Sequence, residues 1–237
     1  MKKILSILIL SSILYANENG FEFILNVPVG GNLNVNPLYE LKSDSVNKYS
    51  GYIKMGFDTG VGIQLGYLHK VNNSFSFSFL GNIAYSYSIV NIENPIYDSE
   101  GKDTTNPYPS LTNVVYYLDN MKIGIAPKFN HNDFSYTIGL GIILPLYIVE
   151  KRSIDNDEYL YRVERGGILP FGLYSDFSFD YSVFFTKQIA LTVGAYTGID
   201  IYGDLESIAT PRSKAQFFIW NIGLKLGFRF APDYTTS

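Results

Sequence analysis

From Phe75 to Ile89 the chain alternates without a break. Phe75, Phe77, Phe79, Gly81, Ile83, Tyr85, Tyr87 and Ile89 hold one parity; Ser76, Ser78, Leu80, Asn82, Ala84, Ser86 and Ser88 hold the other. Successive side chains of a β-strand point to opposite faces, so this segment carries one apolar face and one small, polar face. Strands of soluble sheets run to about 5–6 residues. A much longer alternating run calls for an apolar medium on one side and a polar filling on the other.

Seven more segments share the pattern. Phe21, Phe23, Leu25, Val27 and Val29 form the first apolar face. Phe57, Thr59, Val61, Ile63, Leu65 and Tyr67 form the second, opposite Asp58, Gly60, Gly62, Gln64 and Gly66. After the Phe75 segment come Met121 to Ile125, Phe134 to Leu144, Phe177 to Phe185, Leu191 to Ile199 and Phe218 to Phe230. The connections alternate as well: residues 69–74, 130–133 and 186–188 are short, whereas 30–50, 91–113, 151–167 and 203–216 are long. Eight strands joined this way predict an all-β, up-and-down antiparallel transmembrane barrel with short periplasmic turns and four long extracellular loops. Closure is required because an open sheet edge in lipid would leave backbone N–H and C=O groups unpaired. The stretch 30–50 has room for one more hairpin. Pro28, Pro127, Pro145 and Pro170 fall in or beside strands, where a missing donor points to bulges or to positions near the membrane boundary.

The start of the chain reads as an address. Lys2 and Lys3 precede the apolar stretch Ile4–Leu14, and Ala16 supplies a small residue for cleavage. Residues 1–16 are expected to be a signal peptide and 17–237 a single barrel domain. Loss of the two lysines would take the formal charge from −4 to −6. An acidic chain offers no footprint for nucleic acid. Aromatic residues at 16 % and charged residues at 17 % exclude a disordered chain, and the absence of cysteine excludes disulfides and thiolate metal sites.

Together the export signal, the eight alternating segments and the aromatic-ended last strand resemble the small outer-membrane barrels, such as the OmpA membrane domain, OmpX and the opacity proteins. The segment Asn221–Phe230 is similar to the C-terminal signal read by the barrel-assembly machinery, with Ala231–Ser237 following as a departure. The resemblance implies an outer-membrane location, lipid and a lipopolysaccharide-type leaflet as surroundings, and a host or matrix ligand at the loops. It fixes no activity.

Candidate chemistry is sparse. His69 and His131, the two histidines, map to short turns, whereas a lipid-modifying enzyme would hold its base at the opposite end. Gly60-Val-Gly62 and Gly139-Leu-Gly141 lack the following helix that a phosphate loop needs. Asp155–Glu158 lacks the glycine and spacing of a calcium loop. No catalytic residue, metal or cofactor is expected. Tyr67, Phe75, Phe134, Phe185, Phe228 and Phe230 are placed at the periplasmic interface, and Tyr85, Tyr87 and Trp220 at the outer one, as aromatic girdles.

The inward parity is where charge collects: Glu22, Lys54, Asp58, Lys122, Lys128, Asp176, Asp180, Asp200, Lys225 and Arg229. An eight-stranded barrel is only wide enough for side chains to fill, so these groups are expected to pair across the lumen. Glu22 is expected to pair with Arg229, and Asp176 and Asp180 with Lys122 and Lys225. The reading is a non-catalytic surface protein acting through its loops. The alternatives are a narrow pore or a transporter of small hydrophobic molecules, with the inner glycines leaving a wetted path, and then an enzyme acting on lipid A.

Overall fold

The computed structural model describes residues 19–34, 54–92, 113–154, 157–162, 171–206 and 214–232. Nine strands follow in chain order: β1 (Gly20–Asn34), β2 (Lys54–Lys70), β3 (Phe75–Ile92), β4 (Asn113–His131), β5 (Phe134–Ile154), β6 (Asp157–Arg162), β7 (Gly172–Phe184), β8 (Ile189–Glu206) and β9 (Lys214–Phe230). All pairings are antiparallel, in the order β4-β3-β2-β1-β9-β8-β7-β5, and β4 pairs back onto β5 to close the ring. Eight strands make the wall. The ninth, β6, pairs only with the far end of β5, from Val149↔Arg162 to Ile154↔Asp157.

β6 corrects one expectation. Residues 151–167 were read as a long loop, but their first part prolongs β5 and folds back on it. Alternation over so few residues is too short to stand out from loop sequence. The stretch 30–50 adds no hairpin to the wall, because β1 and β2 pair directly from Gly20↔Leu68 to Asn34↔Lys54. Residues 35–53, 155–156 and 163–170 lie outside the described residues, and with them Asp155, Asn156 and Pro170.

Each short connection is a tight turn. β4 and β5 are joined by Asn132 and Asp133 alone, and Asn132 has a φ of 52°, the left-handed conformation that Asn tolerates better than most residues. The prolines disturb the wall locally. The β1–β2 ladder skips Val27 and Pro28 without changing register, and the Thr59 hydroxyl donates to the Pro28 carbonyl at 3.1 Å. Pro145 sits at a β-bulge where the β4–β5 register shifts between Asp119 and Asn120.

The exposure pattern inverts that of a soluble protein. Phe21, Leu25, Val61, Ile63, Phe79, Ile83, Ile138, Leu140, Phe177, Val193 and Leu224 are all exposed, while Glu22, Asp58, Lys128, Asp180, Asp200 and Arg229 are buried. An apolar belt around a polar, closed interior is the outer-membrane β-barrel architecture, and the protein is a transmembrane barrel. Tyr85 on β3 and Trp220 on β9 each stand ten residues from the short-turn end of their strand, at Phe75 and Phe230. At about 3.4 Å per residue and a tilt near 40°, that separation is roughly 26 Å, the height of an apolar band between two aromatic girdles. Near the short turns Phe134 stacks on Phe179 at 5.4 Å between ring centroids, and Phe228 lies 5.7 Å from Phe230. Tyr67 and Phe185 are exposed at the same end, where Phe75 is half-buried; Tyr87, toward the other end of β3, is half-buried on its outward face.

Candidate functional site: a filled lumen

The inward parity of eight strands converges on one axis, and three layers fill it. The layer nearest the short turns is built on Glu22 of β1, Lys128 of β4 and Arg229 of β9, with side chains 0–2 % exposed. One oxygen of Glu22, Oε1, accepts both Arg229 Nε at 2.7 Å and Lys128 Nζ at 3.0 Å. Ile24, Leu80 and Ala126 pack together inside the barrel, and Leu68, Ala231 and Phe184 cluster beside the short-turn end. There Ala231 donates its N–H to the Gln188 carbonyl at 3.0 Å, and Ala231 and Pro232 are both buried.

The middle layer holds two further ion pairs. Lys225 lies 3.0 Å from Asp180 and donates to the Ser178 hydroxyl at 2.6 Å. Lys122 lies 2.8 Å from both oxygens of Asp200, which also accepts from the Asn221 amide at 2.9 Å. The Lys122 ammonium stands 5.5 Å from the centre of the Tyr174 ring, whose hydroxyl accepts from Asn82 at 2.9 Å. Asp58 accepts from the Ser88 hydroxyl at 2.6 Å and from Tyr196 at 3.1 Å.

The sequence-based pairing therefore needs adjusting. Glu22 and Arg229 do meet, with Lys128 as an added third member. Asp180 takes Lys225, but Lys122 crosses to Asp200 and not to Asp176 or Asp180. Asp176 lies instead over Gly139, where a Cβ would come within 2.5 Å of both its carboxylate oxygens. Lys54 opens β2 opposite Asn34, and its side chain lies outside the described ones.

Large side chains occupy the room that several inner glycines leave. Gly30 and Gly223 face each other across β1 and β9, and a Cβ on either would stand 2.8 Å from Tyr196. Gly124 and Gly141 form the same bed beneath Tyr174, at 2.5 and 2.6 Å. Gly62 is covered by Asn26 and Gly194 by Asp180. Missing side chains on one strand make room for large ones on the next. Tyr174 and Tyr196 are members of this site that sequence reasoning passed over, although each breaks a small inward parity and could have been noticed there.

A third layer lies toward the long connections. Val90, Leu118, Ile143, Ile148, Tyr174, Tyr202 and Ile219 form an apolar cluster inside the barrel, with Tyr116 against it. The inward face was expected to be small and polar throughout, and this cluster departs from it. Val90, Leu118, Ile148, Tyr174 and Tyr202 sit beyond the alternating runs and Ile143 and Ile219 at the ends of theirs, where the inner face can be apolar because its neighbours across the lumen are apolar too. His69 and His131 stand exposed at the ends of β2 and β4, beside short turns and outside the lumen.

No family model matches the chain, and no curated protein matches it. Among solved structures it is similar to Neisserial surface protein A, at 11 % identity over 91 % of this chain and 99 % of that one, with a TM-score of 0.40. It is also similar to the outer membrane protease OmpT from Escherichia coli, at 9 % identity, 90 % and 97 % coverage and a TM-score of 0.48. A third is Ail of Yersinia pestis, in complex with the heparin analogue sucrose octasulfate, at 12 % identity, 89 % and 99 % coverage and a TM-score of 0.37.

Proposed function

We propose that this barrel is a non-conducting, non-catalytic outer-membrane protein that acts at the cell surface through its long connections, 35–53, 93–112, 163–170 and 207–213. The leader 1–16 directs export, the short turns face the periplasm, and the assembly machinery inserts the chain by its last strand. The observation that supports this reading is the filled lumen: three ion-paired clusters, two tyrosines on glycine beds and an apolar layer occupy the space a solute would need. Binding then falls to loops held by a rigid scaffold. The positions of His69 and His131 support a non-catalytic role, because both stand exposed beside the short turns, at the end opposite the one where a lipid-modifying enzyme would hold its base.

Single-channel recording on the refolded protein tests it. The expected result is no steady conductance, with adhesion or ligand capture moving to a host barrel that receives the four connections. Stable open channels in the wild-type protein would overturn the reading and put transport in its place. Altered lipid A in a strain producing the protein, lost on replacing both histidines, would put an enzyme there.

A further inference from the structure

At the long-connection edge of the apolar belt the outward face of β3, β4 and β5 changes character. Asp119 of β4 lies directly opposite Tyr87 of β3 on one side and Tyr147 of β5 on the other. Tyr117 follows it on the same face. Tyr85 sits on the diagonal and donates its hydroxyl to the Asp119 carboxylate. Tyr85 and Tyr147 are 43 % and 39 % exposed, and the other three are half-buried. Among the described residues no lysine or arginine forms an ion pair with Asp119.

This grouping depends on the bulge. Along β5 the outward residues are even-numbered as far as Leu144; the extra residue Leu146 then shifts the register, Tyr147 emerges outward, and Ile148 turns into the inner apolar cluster. Without the bulge Tyr147 would point into the lumen. Bulges re-aim side chains in this way beside functional sites. Below the group, Ile83, Ile123 and Ile142 are paired in one row across the three strands, all exposed. Among the described residues of these strands, one outward carboxylate among aromatic rings thus stands above a bed fit for hydrocarbon, with the Tyr85–Met121–Leu144 row between.

That combination selects an amphipathic cation. Tyrosine rings present a negative face to an ammonium group, and the carboxylate supplies the counter-charge. A divalent metal ion would need six or more oxygens, and no group of acidic side chains among the described residues could hold one. We propose that Asp119, with Tyr85, Tyr87, Tyr117 and Tyr147, binds the alkylammonium headgroup of a membrane lipid whose acyl chain lies along the isoleucine row. Depth favours a lipid over a soluble amine, because the site opens sideways at the level of the outer aromatic girdle.

The test uses the full chain refolded into nanodiscs of phosphatidylethanolamine and phosphatidylglycerol in equal amounts, with retained lipid counted by native mass spectrometry. Wild type is expected to keep the ethanolamine lipid about 5-fold over the glycerol lipid, the ratio set by one exposed cation–aromatic contact. Asp119→Asn, which removes the counter-charge, and Tyr147→Leu, which leaves the charge unchanged, should each lower the ratio; either variant suffices if the other fails to fold, as read by gel mobility before and after heating. Equal retention by wild type, or an unchanged ratio in a folded variant, would overturn the proposal. Soluble phosphoethanolamine should fail to displace the lipid. Full displacement would overturn the membrane source and leave a soluble amine as the ligand.

Discussion

Glu22→Gln and Lys128→Met alter the same buried layer in opposite ways. In the native layer one carboxylate serves two cations, a net charge of +1 among side chains no more than 2 % exposed. Glu22→Gln keeps the shape but takes away the carboxylate that Lys128 and Arg229 share. Removing one partner of a buried pair costs about 3–5 kcal/mol, because the remaining charge stays desolvated. Here two charges remain, so the upper end of that range is expected. Lys128→Met keeps the volume, leaves Glu22 and Arg229 one to one at 2.7 Å, and removes a like-charge neighbour of Arg229. It should change stability by no more than about 1 kcal/mol in either direction. Urea unfolding in lipid vesicles reads both variants through Trp220, the single tryptophan, which is 46 % exposed on the lipid face. Equal destabilisation by the two would mean that packing, and not charge, dominates the layer, and the reasoning would fail.

Other outcomes follow from the same geometry. Asp180→Ala should destabilise by about 3 kcal/mol, since Lys225 would lose its ion-pair carboxylate and keep the Ser178 hydroxyl; vesicle unfolding measures it. Ile138→Arg, outward and exposed, should cost roughly 2–4 kcal/mol if it lies near the midplane, whereas Gly194→Ala should act sterically, its new Cβ colliding with the Asp180 carboxylate. Refolding yields in thin and thick bilayers separate the two, because only the first depends on the lipid. A tag at Lys102 should be labelled on intact cells and one at Asn132 should not; labelling at Asn132 would reverse the orientation.

Legibility in the sequence follows from which interactions are local. Parity is local, so the outward faces of all eight wall strands could be read from single residues such as Phe79, Ile138 and Leu224. Short turns are local too, as at Asn132. The Glu22–Arg229 contact could be anticipated because β1 and β9 are neighbours once the ring closes, and both residues lie near the same strand ends. Lys122 and Asp200 stand on β4 and β8, which do not pair, and their meeting depends on the stagger of every strand between them. Alternation carries no information about stagger. The bulge at Leu146 was half-visible: Pro145 marked the place, but nothing in the sequence said which side chain would change face.

The unequal strand lengths have a consequence for what meets the barrel from outside. β5 has 21 residues and its neighbour β7 has 13. At about 3.3 Å per residue and a tilt near 40°, the first climbs roughly 53 Å and the second roughly 33 Å. Both start near the same turn level, so among the described residues β5 stands about 20 Å proud of the neighbouring strand β7. Hydrogen-bonded ladder on both sides of β5 makes it a stiff mast and not a tether. In the proposed orientation, whatever crowns it is carried clear of the headgroups on a rigid support and meets an approaching surface first and at an angle.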